Sequence, residues 1–321
     1  MANATVLVTG AAGFIGSHLS EALLARGDRV VGVDNFDPFY DHAAKRSNLD
    51  EVSNTGGDFA FRELDLNDHA ALTRVLSDTK PETIVHLAAK AGVRPSIADP
   101  IAYAHANVAA TSVVMECARA AGVQRLVIAS SSSVYGNNDK TPFAETDPVE
   151  RPISPYAATK RSCELIAHTH HHLTGMPVAM LRFFTVFGPR QRPDLAINKF
   201  MRLVARGETI SMFGDGSTSR DYTFVADTVR GIVAAMNRID DHGYRIWNLG
   251  GDHPMRLDDL IAAIGETVGK QPVVERQPMQ PGDVDRTWAD LSRAKAELGY
   301  AGETPVMDGL AAQWAWLEPR L

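Results

Sequence analysis

Residues 5–19 read TVLVTGAAGFIGSHL. Thr5–Thr9 is a short apolar run, the pattern of a strand covered on both faces. Gly10, Gly13 and Gly16 follow at once and open an amphipathic stretch, Ile15–Arg26. In this arrangement Gly10 permits a tight turn. Gly13 lets backbone approach a pyrophosphate, and Gly16 lets helix and strand pack closely. The helix N-terminus supplies free N–H groups and a partial positive charge. A second apolar run, Arg29–Asp34, ends on an acid 18 residues after Gly16. A carboxylate there accepts the ribose hydroxyls of NAD and repels the 2′-phosphate of NADP. Strand, glycines, helix, strand and acid in this order predict a dinucleotide site.

The same alternation runs outward from this stretch. Further strands are expected at Phe59–Glu63, Thr83–His86, Arg125–Ser130 and Pro177–Arg182, with helices at Asp68–Ser77, Tyr103–Ala121 and Pro155–Leu173. Alternating β and α elements imply a Rossmann-type α/β fold, a doubly wound parallel sheet with helices on both faces. Past residue 182 the spacing becomes irregular and turn-rich. We expect residues 1–182, with chain crossings in 214–250, to form the NAD-binding domain. Residues 183–321 should form mainly a smaller α/β C-terminal lobe for substrate.

Composition narrows the function classes. The chain has 321 residues and a net charge of −7, which argues against a nucleic-acid binder. No apolar run is long enough to span a membrane, and no signal-peptide pattern opens the chain, so a cytoplasmic location is expected. The two cysteines, Cys117 and Cys163, imply no disulfide framework. The charge is uneven: residues 1–150 carry −7, 151–230 carry +5 and 231–321 carry −5. The acidic first half would hold a dinucleotide through backbone and helix dipole. The basic middle would meet an anionic substrate.

Tyr156 and Lys160 lie four residues apart in SPYAATK, on one face of a helix. A free tyrosine has a pKa of about 10. An adjacent ammonium and a positively charged nicotinamide would both favour the phenolate, which can then take a proton from a sugar hydroxyl. In IASSSSVYG, residues 128–136, the hydroxyls of Ser131, Ser132 and Ser133 end a strand, where ligands bind in such sheets. Asp65 follows the third strand in LDL, where it resembles the adenine contact of the short-chain dehydrogenases; its other reading is a helix N-cap. The HTHHH run at 168–172 is read as a solvated helix face rather than a metal site.

The motifs VTGAAGFIGSHL, VHLAAKAGVR, SSSVYG, SPYAATK, RFFTVFGPRQRPD, FGDGSTSRDYTFVAD and NLGG together resemble the extended short-chain dehydrogenases/reductases of the nucleotide-sugar epimerase/dehydratase group. The resemblance implies a catalytic set of Ser131, Tyr156 and Lys160. It implies tightly bound NAD, regenerated each turnover, and a homodimer built on a four-helix bundle from the helices near 101–121 and 155–173. NAD contacts would be Gly10, Gly13, Phe14, Ile15, Gly16, Asp34, Asn35, Asp65, Leu66, Leu87, Ala88, Ala89, Lys90, Asn107, Tyr156 and Lys160. The UDP-sugar would meet Arg94, Ser131, Ser132, Ser133, Tyr156, Thr185, Arg192, Arg220 and Asp283.

Three positions narrow the resemblance. Dehydratases of the group carry an Asp-Glu pair where this chain has Ser132 and Ser133. Decarboxylases carry Glu at the position of Ser133. Epimerases of uncharged sugars usually carry Asn where this chain has Thr185. With DNFDPFYD at 34–41, this pattern resembles the UDP-glucuronate 4-epimerases. Gln280 stands where many relatives have Arg, so Arg192 or Arg286 would have to compensate. The alternatives are a UDP-galactose 4-epimerase, a nucleotide-sugar 4-ketoreductase and a non-enzymatic NAD-sensing protein.

Overall fold

The computed structural model describes residues 4–279 and 284–321. Its first half alternates strand and helix: β1 (Thr5–Thr9), α1 (Phe14–Ala25), β2 (Arg29–Asp34), α2 (His42–Asn54), β3 (Phe59–Glu63), α3 (His69–Thr79) and β4 (Thr83–His86). After β4 come α4 (Val93–Ala98), α5 (Pro100–Tyr103), a π-helical stretch at Ala104–Ala109 and α6 (Ala110–Ala121). Then follow β5 (Arg125–Ser131), α7 (Pro155–Thr174) and β6 (Val178–Phe183). The helix expected at 103–121 thus starts at Pro100 and carries a π-helical interruption.

Seven strands form one sheet in the order β10-β6-β5-β4-β1-β2-β3, where β10 is Tyr244–Leu249. Every pairing in it is parallel. Val6, Leu7 and Val8 of β1 are fully buried, because helices cover both faces of the sheet. The strand order reverses between β1 and β4, which opens a crevice at their carboxyl ends.

The remaining chain leaves the sheet and returns to it. β7 (Thr185–Phe187), α8 (Ala196–Arg206), β8 (Thr209–Phe213) and β9 (Ser219–Phe224) lead outward. Then α9 (Val225–Arg238) packs on α1 and β5, and β10 adds the seventh strand. β11 (Pro254–Arg256), α10 (Leu257–Val268), β12 (Val273–Gln277), α11 (Ser292–Leu298) and α12 (Val306–Leu317) complete the chain. β11-β9-β7 and β12-β8 form two small sheets over a separate core that includes Phe187, Met201, Ile210, Ile264 and Leu310. Among the described residues no helix is long and apolar enough to cross a membrane.

Candidate active site

The carboxyl ends of β1, β2, β4, β5 and β6 face the outer lobe across a cleft of about 860 Å³. At its base, Gly10 adopts a φ of +70°, and a side chain there would press on the backbone of Ala88 at 2.9 Å. A Cβ on Gly16 would collide with the Gly10 carbonyl. α1 begins at Gly13 with no side-chain cap on its N-terminal amides. A cradle that any side chain would fill, beneath uncapped amides, fits a pyrophosphate.

Asp34 ends β2 almost fully buried. Its Oδ1 accepts from the Phe36 amide at 2.9 Å and from Lys45 Nζ at 3.4 Å. Asp65 lies beside it: Asn35 donates to its Oδ2 at 3.2 Å, and the Asn67 amide donates to Oδ1 at 2.8 Å. Burial pushes the Asp65 carboxyl up, but the bonds from Asn67 and Asn35 outweigh it and hold the group below its ordinary value. Asp68, not Asp65, caps α3, accepting from Ala71 at 2.9 Å. The N-cap reading of Asp65 is therefore removed.

α7 starts where it does because Ser154 caps it and Pro155 fills its first position. The Ala157 amide donates to Ser154 Oγ at 3.1 Å. This places Tyr156 in the first turn and Lys160 one turn on, both facing the cleft. Lys160 Nζ donates to the Ala129 carbonyl of β5 at 2.9 Å, which fixes the ammonium under the serine loop. The Tyr156 amide donates to Ser96 Oγ at 3.1 Å, and Tyr103 meets the Tyr156 ring edge-on at 6.2 Å. Burial pushes the Tyr103 phenol up to about 12, which keeps it protonated.

Ser131 Oγ accepts from the Ser133 amide at 3.1 Å, turning the chain so that Ser131, Ser132 and Ser133 all line the cleft. Ser133 Oγ is shielded from water and has no hydrogen-bond partner among the described residues. The loop is braced from behind: Ser130 Oγ donates at 2.7 Å to Glu164, which also holds Arg182 through bonds of 2.8 and 2.9 Å. Burial pushes the Glu164 carboxyl up, but the Arg182 guanidinium outweighs it and holds the carboxyl below its ordinary value.

Thr185, Arg192 and Arg220 line the cleft from the outer lobe. Arg192 lies over the Phe39 ring at 4.8 Å and pairs with Asp194 at 2.7 Å. Arg220 Nη1 donates to the Ser219 carbonyl at 2.8 Å, and Arg94 lies over Phe213 at 4.6 Å. Phe14, Ile15, Leu66, Leu87, Ala88, Ala89 and Lys90 line the cofactor side.

Two expected positions differ. Asn107 lies behind the cleft, because its side chain is spent on protein bonds. It accepts from the Lys90 amide at 2.8 Å and donates to Lys90 O and Thr159 Oγ1, each at 3.0 Å. Arg286 donates to the Asp139 carbonyl at 3.2 Å and is not among the cleft-lining residues. Asp283 and Gln280 fall outside the described residues. The histidine run is used locally: His171 Nδ1 is 2.8 Å from the Met176 carbonyl, and His168 meets the Tyr244 ring edge-on.

The sequence reading missed Lys45, Phe39, Tyr40 and Phe213, all of which line the cleft. A signal existed for two of them. Phe39 and Tyr40 lie in the loop that follows Asp34 at the carboxyl end of β2, where ligands bind in this architecture.

Residues 7–312 match the family model described as GDP-mannose 4,6 dehydratase. A UDP-glucuronate 4-epimerase of Thermodesulfobacterium geofontis is 38% identical over 311 residues, covering 97% of this chain and 95% of that one. UDP-glucuronate 4-epimerase 3 of Arabidopsis thaliana is 40% identical over 330 residues, covering 97% of this chain and 76% of that one. The crystal structure of UDP-glucuronic acid 4-epimerase from Bacillus cereus, in complex with UDP-glucuronic acid and NAD, superposes with a TM-score of 0.92 at 34% identity. That comparison covers 99% of this chain and 100% of the other. A match of this extent, over a sheet and a glycine cradle of the expected form, means that the chain belongs to the GDP-mannose 4,6 dehydratase family, among the extended short-chain dehydrogenases/reductases that act on nucleotide sugars.

Proposed function

We propose that this chain interconverts UDP-glucuronate and UDP-galacturonate by NAD-dependent epimerisation at carbon 4. The observation that carries the reading is a single cleft. It joins the glycine cradle and Asp34 to Tyr156 and Lys160, and sets Ser131, Ser132, Ser133 and Thr185 against them. Hydroxyls hold a carboxylate without adding an acid or base that would divert the reaction.

The glycine cradle, Asp34 and Lys160 would hold NAD, which when bound supplies a reversible hydride acceptor. Tyr156 takes the proton of the 4-hydroxyl, and the Lys160 ammonium balances the charge that develops. Ser131 hydrogen-bonds the same sugar oxygen. Arg192 and Arg220 grip the pyrophosphate while the 4-keto ring turns over between them. Tyr156 then returns the proton, with the centre inverted. A 4-keto uronate is a β-keto acid and loses carbon dioxide readily. Ser132, Ser133 and Thr185 hold the carboxylate so that the scissile bond does not align with the ketone.

The active form is a homodimer. Ile101, Leu165 and Leu173 on the α5–α6 and α7 rods are 81%, 54% and 76% exposed, an apolar face suited to a four-helix bundle with a second copy. Both cysteines are buried and unpaired, in keeping with the reducing cytoplasm.

The test is incubation with UDP-glucuronate without added cofactor, followed by NMR of the products. UDP-galacturonate is expected at equilibrium with the substrate. A pentose as main product, or conversion of UDP-glucose alone, overturns the reading.

A further inference from the structure

The cleft is backed by a continuous buried chain of hydrogen bonds that no step above uses. It starts at Thr9, the last residue of β1. Thr9 Oγ1 accepts from the amides of Leu87 and Ala88, at 3.1 and 3.2 Å. Its own proton is then free for only one partner, His86 Nδ1 at 2.8 Å. A ring that accepts at Nδ1 carries its proton on Nε2. Nε2 meets Thr111 Oγ1 at 3.0 Å, and Thr111 Oγ1 donates onward to the Asn107 carbonyl at 2.5 Å.

Asn107 sits in the π-helical stretch, an insertion often found at working sites. Its side chain holds both backbone atoms of Lys90 and donates to Thr159 Oγ1. Thr159 Oγ1 donates to the Tyr156 carbonyl at 2.8 Å. Thr9, His86, Thr111, Asn107 and Thr159 are all buried. Burial, and then the Lys160 ammonium, push His86 down to about 3, so the ring stays neutral and the proton order holds.

We infer that His86 is a positioning residue with two separable halves: Nδ1 sets the Leu87–Ala88 floor under the cofactor, and Nε2 sets the helix that carries Tyr156 and Lys160. The inference rests on the reading of the cleft as an NAD and nucleotide-sugar site. Leu87 and Ala88 line the cleft where a Gly10 side chain would collide, so a shift of that floor acts directly on the phosphate cradle.

Asn can replace the Nδ1 acceptor of histidine, and Gln can replace its Nε2 donor. The experiment therefore compares His86→Asn, His86→Gln and Thr111→Val in the full chain, purified with whatever NAD each retains. Bound NAD is quantified after acid release, and kcat per loaded site and KM for UDP-glucuronate are measured beside it. His86→Asn and Thr111→Val should retain NAD and lose about tenfold in kcat, with KM unchanged. His86→Gln should do the reverse, losing most of its NAD while loaded sites turn over near the wild-type rate. NAD retention is read without any sugar, so a wrong substrate assignment leaves that arm intact. Parallel losses of NAD and kcat in all three variants, tracking melting temperature, would mean a core histidine with no such division and overturn the inference. So would three variants indistinguishable from wild type.

Discussion

Replacing Ser133 with alanine should move activity and stability in different ways. Ser133 Oγ is shielded from water and unpartnered among the described residues, on a residue that lines the cleft. Its desolvation has therefore been met during folding, with no hydrogen bond formed in return. Deleting it removes a buried unsatisfied group, so the unfolding free energy should hold or rise. Under the proposed function the same hydroxyl would face the uronate carboxylate, and a hydrogen bond to a charged group is worth about 1.5–3 kcal/mol. Ser133→Ala should then lower kcat/KM for UDP-glucuronate by about 10- to 140-fold. UDP-glucose, which lacks the carboxylate, should lose much less. The assay pairs product formation by NMR with urea unfolding of the same preparation. A variant that matches wild type on UDP-glucuronate refutes the role. A variant that loses activity only in step with a fall in stability refutes the argument from the unpartnered hydroxyl.

Other perturbations read different parts of the cleft. Tyr156→Phe keeps the ring against Tyr103 and removes the oxygen proposed as acid–base, so turnover should fall by about 10²–10⁴-fold while NAD stays bound; a variant within tenfold of wild type sinks the assignment. Gly16→Ala drives a methyl into the Gly10 carbonyl, and the purified protein should lack NAD and melt earlier; full NAD occupancy would contradict the cradle. His86 links pH to stability. Its folded value lies near 3, against about 6.5 in the unfolded chain, so the unfolded state binds the proton first as pH falls. That stability is complete above pH ~6.5 and is lost below it, by up to about 1.4 kcal/mol per pH unit. Urea midpoints at pH 7.5 and 5 should therefore drop less for His86→Gln than for wild type, and parallel drops would count against the linkage.

Most of the legible strands share one physical cause. β1–β4 have the bounds expected from their apolar runs, and β5 runs one residue further. β1, β2 and β4 are buried on both faces and leave few polar positions to blur the pattern, whereas the edge strand β3 is half-exposed and ends on the exposed Arg62 and Glu63. α2 shows the opposite case. Its sequence, HAAKRSNLDEVSN, has no apolar stripe, because the residues it buries are Lys45, Asn48 and Val52. Asn48 donates at 2.9 Å to the Ala12 carbonyl of the phosphate loop, and Lys45 reaches Asp34. A helix docked by polar contacts on the cofactor site carries no hydrophobic period for a sequence reading to find. Asn107 failed differently. Its residue type suited a ligand contact, but only the tertiary structure shows that Lys90 and Thr159 already take its bonds.

The uneven charge along the chain also takes a different meaning in three dimensions. The +5 middle segment holds eleven cations, but only Lys160, Arg192, Lys199 and Arg220 of them line the cleft. Arg182 is spent on Glu164, Arg190 on Glu21 and Glu51, and Arg230 on Glu303. These pairs stitch elements together and offer nothing to a substrate. The acidic first half meanwhile contributes Lys45, Lys90 and Arg94 to the same cleft. Lys45 and Lys90 face Asp34 and Asp37, so the cofactor side presents paired charges rather than a positive field. On the proposed reading, selection between NAD and a 2′-phosphorylated cofactor would turn on one carboxylate, Asp34. Asp34 pairs with Lys45 at 3.4 Å, and without that carboxylate the buried ammonium would lose its ion-pair partner. The sum over a segment cannot carry this information. It is the pairing of each cation, fixed by the fold, that sets which charges the cleft presents.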